Sequence, residues 1–227
     1  MNNLINLSSD ETWACISNHI NCEINFNKLS NSIDKRSYTA CIKKILGYRQ
    51  YNVKRTEENV KNMYSPKWAS LNPSLVTAYP NKSSYVPVKW NSSKFVVDGL
   101  GMSNLQTLRI MKLIEKIKPR SVLDVGCGNG ERVLQLACRY PGIKFTGLEL
   151  TPGGVETAKN IQKLDQISEA LSNASPQPLI DLTAHKSINF VCSSAKSIPF
   201  EDNSFDLVYT SLSLEQMEII REYALKE

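Results

Sequence analysis

A glycine cluster between a short apolar run and a helical pattern constrains this chain more than any other feature. Residues 121–125 (Ser-Val-Leu-Asp-Val) form the apolar run, which predicts a buried parallel strand. Gly126, Gly128 and Gly130 follow, and residues 131–139 have the pattern of a helix. Glycines let the backbone turn sharply and approach a ligand, and the N-terminus of a helix offers unpaired N–H groups. The segment therefore predicts a small-molecule cradle at a strand–helix turn.

The spacing of these glycines narrows the choice of ligand. A dinucleotide-binding fingerprint would place glycine or alanine at position 131, where this chain has Glu131. In that fingerprint the position makes a close contact between helix and strand, which a glutamate side chain does not suit. The sequence therefore disfavours NAD and FAD.

Strand and helix patterns alternate through the C-terminal half of the chain. Residues 102–118 predict an amphipathic helix that begins with a capping box, Ser103 and Gln106, and stops at Pro119. The later predicted elements are a strand over 143–149, a helix from Thr151 and Pro152, a loop insertion over 172–186, a strand over 188–192 and a strand over 205–210. This alternation predicts right-handed βαβ units, and hence an α/β fold with a doubly wound, mostly parallel sheet.

The first hundred residues carry no motif that indicates a function. Apolar residues at helical spacing predict a mainly helical extension over residues 1–63. Recurring prolines among polar residues predict an irregular connector or lid over residues 64–101. Residues 102–227 form the predicted core. Trp13, Trp68 and Trp90 are interpreted as packing residues rather than as substrate platforms.

Composition argues against several classes of protein. No apolar run approaches the roughly 18 residues that cross a bilayer, and the first residues lack a signal-peptide pattern, so we expect a cytoplasmic protein without a membrane partner. The formal charge of +5 is modest, and Glu57 and Glu58 interrupt the basic residues between Lys35 and Lys67, which disfavours nucleic-acid binding. Six cysteines without C-x-x-C spacing predict reduced thiols and no metal site.

The glycine segment resembles the first motif of the class I, Rossmann-like S-adenosylmethionine-dependent methyltransferases. That motif, acidic-x-G-x-G-x-G, is matched at Asp124, Gly126, Gly128 and Gly130. The resemblance implies that the glycine backbone passes the methionine part of the cofactor and that Asp124 helps to order its amino group. It also implies that Glu149, at the end of the second predicted strand, accepts hydrogen bonds from the ribose hydroxyls.

Residues 191–208 are similar to later motifs of the small-molecule branch of this family. That branch commonly holds the adenine with a G-D-A triplet, and Ser194 stands here at the acidic position before Ala195. A hydroxyl can still meet the adenine amine, or the contact can pass to the backbone. The cofactor-binding set implied by the resemblance is Asp124, Gly126, Cys127, Gly128, Gly130, Glu149, Leu150, Ser194, Ala195 and Thr210.

The predicted function is methyl transfer from S-adenosylmethionine to a small-molecule acceptor. Residues 210–213 (Thr-Ser-Leu-Ser) lack the Asp/Asn-Pro-Pro-aromatic motif of enzymes that methylate exocyclic base amines. Gln216 stands where the resembled branch often has a histidine, so no catalytic residue is assigned. Two alternatives stay open, an RNA methyltransferase and a catalytically silent cofactor-binding or interaction protein.

The number of predicted strands suggests an incomplete core. The family fold has seven strands, whereas four are predicted here before an amphipathic pattern at Leu214, Met217 and Ile220. We therefore expect a core truncated at its C-terminus that retains cofactor binding and shows little methyl transfer by itself. We also expect self-association through an uncovered strand edge or through this final helix.

Overall fold

The computed structural model describes residues 7–48, 56–70, 85–90 and 92–213. Its helices are α1 (Ser9–Ile16), α2 (Phe26–Ile45), α3 (Glu57–Ala69), α4 (Gly99–Ile117), α5 (Glu131–Arg139), α6 (Pro152–Gln162) and α7 (Glu169–Asn173). Its strands are β1 (Ile20–Asn21), β2 (Val86–Trp90), β3 (Ser93–Val97), β4 (Ser121–Val125), β5 (Lys144–Glu149), β6 (Asn189–Cys192) and β7 (Leu207–Tyr209). The predicted helix through Leu214, Met217 and Ile220 lies outside the described residues. The chain divides into two units, one of residues 1–6, 55–78 and 106–227 and the other of residues 7–54 and 79–105.

A four-stranded parallel sheet organises the first unit. Its strand order is β6-β5-β4-β7, and each neighbouring pair is parallel. The chain moves outward from β4 through β5 to β6 and then returns to the other side of β4 with β7. In sheets of this kind ligands bind at the carboxyl ends of the strands where the order reverses, which here is between β4 and β7. The predicted α/β fold with a doubly wound parallel sheet is confirmed.

Apolar side chains from three helices cover this sheet. Met111 and Ile114 of α4, Leu134 of α5, Ile161 of α6 and Phe190 of β6 belong to one core cluster and are almost completely buried. Burying a side chain of this size stabilises a fold by about 1.5 to 3 kcal/mol. The cluster therefore fixes the helices against the sheet and holds the strand ends in place.

The first helix of the predicted core begins earlier than its sequence pattern indicates. Helix α4 starts at Gly99, because the side chain of Asp98 accepts a hydrogen bond from the backbone N–H of Gly101 at 2.8 Å. Ser103 therefore lies inside the helix, and the prediction of a capping box at Ser103 is wrong. The N-cap predicted at Thr151 is confirmed, since its hydroxyl accepts from the backbone N–H of Gly154 at 3.3 Å.

The second unit contains a small antiparallel sheet with the order β1-β3-β2. Residues 71–84 and 91 of the irregular segment predicted over 64–101 lie outside the described residues. The described part of that range differs from the prediction, since it contains the end of α3, the strands β2 and β3 and the start of α4. Pro87 is accommodated because β2 is an edge strand, where a missing N–H breaks no ladder bond. Pro66 lies in the last turns of α3.

The described residues show neither a membrane span nor a metal cluster. No helix among them has the combination of length and apolar character that crossing a bilayer requires. Within the same ranges, no three His, Cys, Asp or Glu side chains are grouped as metal ligands would be. All six cysteines lie within the described ranges and are free thiols.

Candidate functional site

The glycine loop wraps around the carboxyl end of β5. Gly126, Gly128 and Gly130 have φ angles of 81°, 60° and 80°, a left-handed conformation that residues with a side chain rarely adopt. The backbone N–H groups of Gly126 and Cys127 donate to the carbonyl of Leu148 at 2.8 and 3.0 Å. These bonds turn the loop over the end of the neighbouring strand, so that its backbone faces the space above β4 and β5.

Glu149 is a buried carboxylate that ties this loop to the start of α6. Its Oε2 accepts from the backbone N–H of Gly128 at 3.0 Å. Its Oε1 accepts from the backbone N–H of Thr151 at 3.0 Å and from the hydroxyl of Thr151 at 2.6 Å. A carboxylate oxygen has about two acceptor sites, so Oε1 is fully used whereas Oε2 keeps one site for a further donor. Burying a charge is favourable only when it is hydrogen-bonded in this way.

A cleft opens beside the glycine loop and Glu149. It encloses about 550 Å³ of space, open solvent included. Its walls are formed by Val60, Tyr64, Trp68, Gly126, Gly128, Glu149, Leu150, Leu212 and Ser213. Gly126, Gly128, Glu149 and Leu150 of the predicted cofactor-binding set therefore lie together at one cleft.

Helix α3 forms the wall opposite the glycine loop. The indole ring of Trp68 lies 3.3 Å from the point where a Cβ on Gly128 would stand, so that any side chain there would press against the ring. The rings of Tyr64 and Trp68 stack with their centroids 6.1 Å apart. The hydroxyl of Thr157 donates to the carbonyl of Trp68 at 2.9 Å, and the backbone N–H of Gly153 donates to the hydroxyl of Ser65 at 2.9 Å. These bonds fasten α3 to α6.

Sequence reasoning missed this wall. Trp68 does pack, as the sequence interpretation holds, but it also lines the cleft. The spacing of Tyr64 and Trp68, four residues apart, is the one signal in the sequence that would place both on the same face of a helix. Pro66 between them indicated instead that no helix was present.

Asp124 is buried near the end of β4 and is not among the residues that line the cleft. It is only 3% exposed, and its Oδ2 accepts a hydrogen bond from the hydroxyl of Tyr209 at 2.9 Å. Burial raises the pKa of Asp124 to about 6, although the charge of Arg132 and the hydrogen bond from Tyr209 act in the opposite direction. Burial also raises the pKa of the Cys127 thiol well above its usual value, so this cysteine is protonated and is a poor nucleophile.

The raised pKa of Asp124 makes stability depend on pH. The folded chain keeps a proton that the unfolded chain releases near pH 4, so the stabilisation is complete below pH 4 and is lost as pH rises to about 6. Relative to Asp124→Asn, the free energy of unfolding should fall by up to about 3 kcal/mol across this window. Urea titrations of both proteins from pH 4 to 7 measure the difference. Parallel pH profiles would show that Asp124 has an ordinary pKa.

The remaining predicted site residues are not among those that line the cleft. Thr210 lies 2.5 Å, oxygen to oxygen, from the hydroxyl of Ser213, which itself donates to the carbonyl of Val125 at 3.1 Å. The single proton of Ser213 is thereby used, so Thr210 is the donor between the two. Gly130 faces the core instead, since its Cβ would meet the ring of Phe190 at 2.9 Å.

Ser194 and Ala195 follow β6, next to the first turn of α3. The hydroxyl of Ser194 donates to Oε1 of Glu57 and accepts from the backbone N–H of Lys196 at 3.0 Å. The ammonium group of Lys196 lies 3.9 Å from the same carboxylate oxygen of Glu57. Ala195 packs against a small apolar cluster that includes Leu148. Glu57 is not among the cofactor-binding residues predicted from the sequence.

Residues 123–227 match the family model described as "Methyltransferase domain". Norajmaline N-methyltransferase from Rauvolfia serpentina is 31% identical over 101 residues, which are 44% of this chain and 28% of that protein. O-methyltransferase rstn1 from Aspergillus nomiae is 29% identical over 49% of this chain and 42% of that protein. Ubiquinone/menaquinone biosynthesis C-methyltransferase UbiE from Rickettsia prowazekii is 30% identical over 47% of this chain and 38% of that protein. The chain thus spans less than half the length of each of these relatives.

Proposed function

We propose that residues 123–227 belong to the class I S-adenosylmethionine-dependent methyltransferases and that the protein transfers a methyl group from S-adenosylmethionine to a small-molecule acceptor. The three relatives described above are named as N-, O- and C-methyltransferases, so the kind of acceptor atom stays open. The activity is assigned to the whole protein, of which the methyltransferase domain is one part.

One observation supports this proposal best, namely the open acceptor site on Glu149 beside the glycine loop. Oε2 of Glu149 can accept one ribose hydroxyl without breaking any bond that it makes to Gly128 or Thr151. A second hydroxyl would have to share Oε1 with Thr151. The cleft residues therefore fit a ribose through one direct hydrogen bond, rather than through the two that the residue type alone allows.

The rest of the cleft suits the other parts of the cofactor. The backbone of Gly126 lines the cleft and leaves room for the methionine chain, because no Cβ projects there, whereas the ring of Trp68 packs against Gly128. Trp68 offers an aromatic ring close to Gly128, where a sulfonium cation would be attracted by the π electrons, and Tyr64 lines the same cleft. Leu150 and Val60 give the cleft the apolar wall that a base ring needs.

The chain's own contribution to transfer is to position the reactants and to exclude water. Methyl transfer from a sulfonium is an in-line displacement, so holding the acceptor and the methyl group together can supply much of the rate enhancement. No catalytic residue is assigned, and a dedicated base is not required for a neutral amine acceptor. We place the protein in the cytoplasm, and we retain self-association through an uncovered strand edge as part of the proposal.

Transfer of a labelled methyl group tests the proposed function. The full chain is incubated with S-[methyl-³H]adenosylmethionine and either a metabolite extract or total RNA. Label in the small-molecule fraction supports the proposal, whereas label in RNA alone supports the RNA methyltransferase alternative. Binding of S-adenosylhomocysteine without transfer to either fraction would favour the catalytically silent alternative, and Glu149→Ala serves as the background control.

The salt dependence of RNA binding tests the RNA methyltransferase alternative independently. Binding to a phosphate backbone releases counterions, so RNA affinity should fall steeply between about 50 and 200 mM salt. We expect no measurable RNA binding at the lower salt concentration. Tight, salt-sensitive binding would overturn the choice of a small-molecule acceptor.

A further inference from the structure

The contact between α3 and the segment after β6 brings the carboxylate of Glu57 next to the hydroxyl of Ser194. Glu57 lies in the first turn of α3, and its Oε1 receives the hydroxyl proton of Ser194. Lys196 lies 3.9 Å from the same oxygen. Both partners contact Oε1. Oε2 of Glu57 receives no hydrogen bond from any residue in the described part of the chain, and the side chain is one-third exposed.

The order of the strands indicates which part of a ligand would reach this carboxylate. The glycine loop follows β4, Glu149 ends β5 and Ser194 follows β6, and these three strands are adjacent in the sheet. A ligand that has its methionine end at the glycine loop and its ribose at Glu149 therefore extends its base toward the end of β6. Val60, one turn after Glu57 on α3, lines the cleft together with Glu149 and Leu150 at the end of β5, the strand next to β6.

We propose that Glu57 accepts the hydrogen bond of the adenine amine and so selects a 6-aminopurine cofactor. The proposal rests on the proposed function, because it assumes an adenosyl ligand in this cleft. Ser194 is the weaker acceptor of the two, since its hydroxyl is neutral and one of its two acceptor sites is taken by the backbone N–H of Lys196. A carboxylate is an acceptor only, so it binds an amine donor and repels a carbonyl oxygen at the same position.

Glu57 thus determines the preference for the base, and it lies on α3 rather than at the end of a strand. Ser194 and Lys196 hold the carboxylate through Oε1 and leave Oε2 directed to other donors. This arrangement gives the proposal a chemical signature. A residue that only fastened α3 to β6 would change the affinity of every ligand alike, whereas an acceptor of the amine changes the preference between two bases.

The test compares S-adenosylhomocysteine with S-inosylhomocysteine, in which a 6-oxo group replaces the 6-amino group. Calorimetric titrations of the full chain with both ligands give the ratio of their affinities. We expect the unmodified chain to prefer the adenosyl ligand by about tenfold or more, as for a hydrogen bond to a charged group. In Glu57→Gln the ratio should fall to about threefold or less, because an amide can donate as well as accept.

Glu58→Gln is the matched control, since it removes the same charge from an exposed position on the same turn. This variant should keep the ratio of the unmodified chain. A Glu57→Gln variant that weakens both ligands equally and keeps the original ratio would overturn the proposal and leave Glu57 with a purely structural role. If the unmodified chain binds neither ligand, the proposed function fails first, so the two failures are distinguishable.

Discussion

Replacing Glu149 by alanine is expected to lower the affinity for S-adenosylhomocysteine by about 10- to 100-fold. A hydrogen bond to a charged group contributes about 1.5 to 3 kcal/mol, and the variant loses the proposed acceptor for the ribose. The same change leaves the backbone N–H of Gly128 and both donors of Thr151 without their partner. The glycine loop then loses its tie to α6, which adds to the loss of affinity.

Calorimetric titration measures this effect, with thermal unfolding as a check that the variant folds. Glu149→Gln keeps one acceptor oxygen and should retain part of the affinity. Glu156→Ala, an exposed glutamate on α6, should bind as the unmodified chain does. Unchanged affinity in a folded Glu149→Ala variant would show that this residue only ends its strand and does not bind the ribose.

Gly130→Ala is expected to destabilise the fold by about 2 to 6 kcal/mol. The φ angle of 80° costs a residue with a side chain about 1 to 3 kcal/mol, and the new Cβ would lie 2.9 Å from the ring of Phe190 and 3.0 Å from Ala158. Overpacking of a filled core costs roughly another 1 to 3 kcal/mol. Neither neighbour can withdraw easily, because Phe190 and Ala158 are themselves buried in the main core.

Gly142→Ala provides the matched control, since its Cβ would meet nothing within 4 Å and its φ angle is not positive. Urea unfolding of the two variants should separate them clearly, with Gly142→Ala within about 1 kcal/mol of the unmodified chain. Equal stability of the two variants would contradict the packing described around the glycine loop.

The core of the fold could be predicted because its signals are local. The strand at 121–125 and the helix at 131–139 have the predicted bounds. Thr151 and Pro152 mark the start of α6 for the same reason, since capping depends on neighbouring residues. Gly126 and Gly128 follow β4, and Glu149 and Leu150 lie at the end of the neighbouring strand β5. The pairing of these two strands brings the four residues to one cleft.

The wall formed by α3 could not be predicted, because it depends on contacts between distant residues. Glu57 and Ser194 are 137 residues apart in sequence, and Ser65 and Gly153 are 88 apart. The sequence pattern also suggests a break at Pro66, whereas the packing of α3 against α6 keeps the helix intact. Propensity is a weak prior that tertiary contacts of this kind override.

The central claim is that the cleft beside Glu149 binds an adenosyl ligand of the S-adenosylmethionine type. Calorimetric titration of the full chain with S-adenosylhomocysteine and, separately, with NAD tests it most directly. We expect saturable binding of S-adenosylhomocysteine at one site and no heat of binding with NAD, because position 131 lacks the small residue of a dinucleotide fingerprint. Saturable binding of NAD without any response to S-adenosylhomocysteine would contradict the claim.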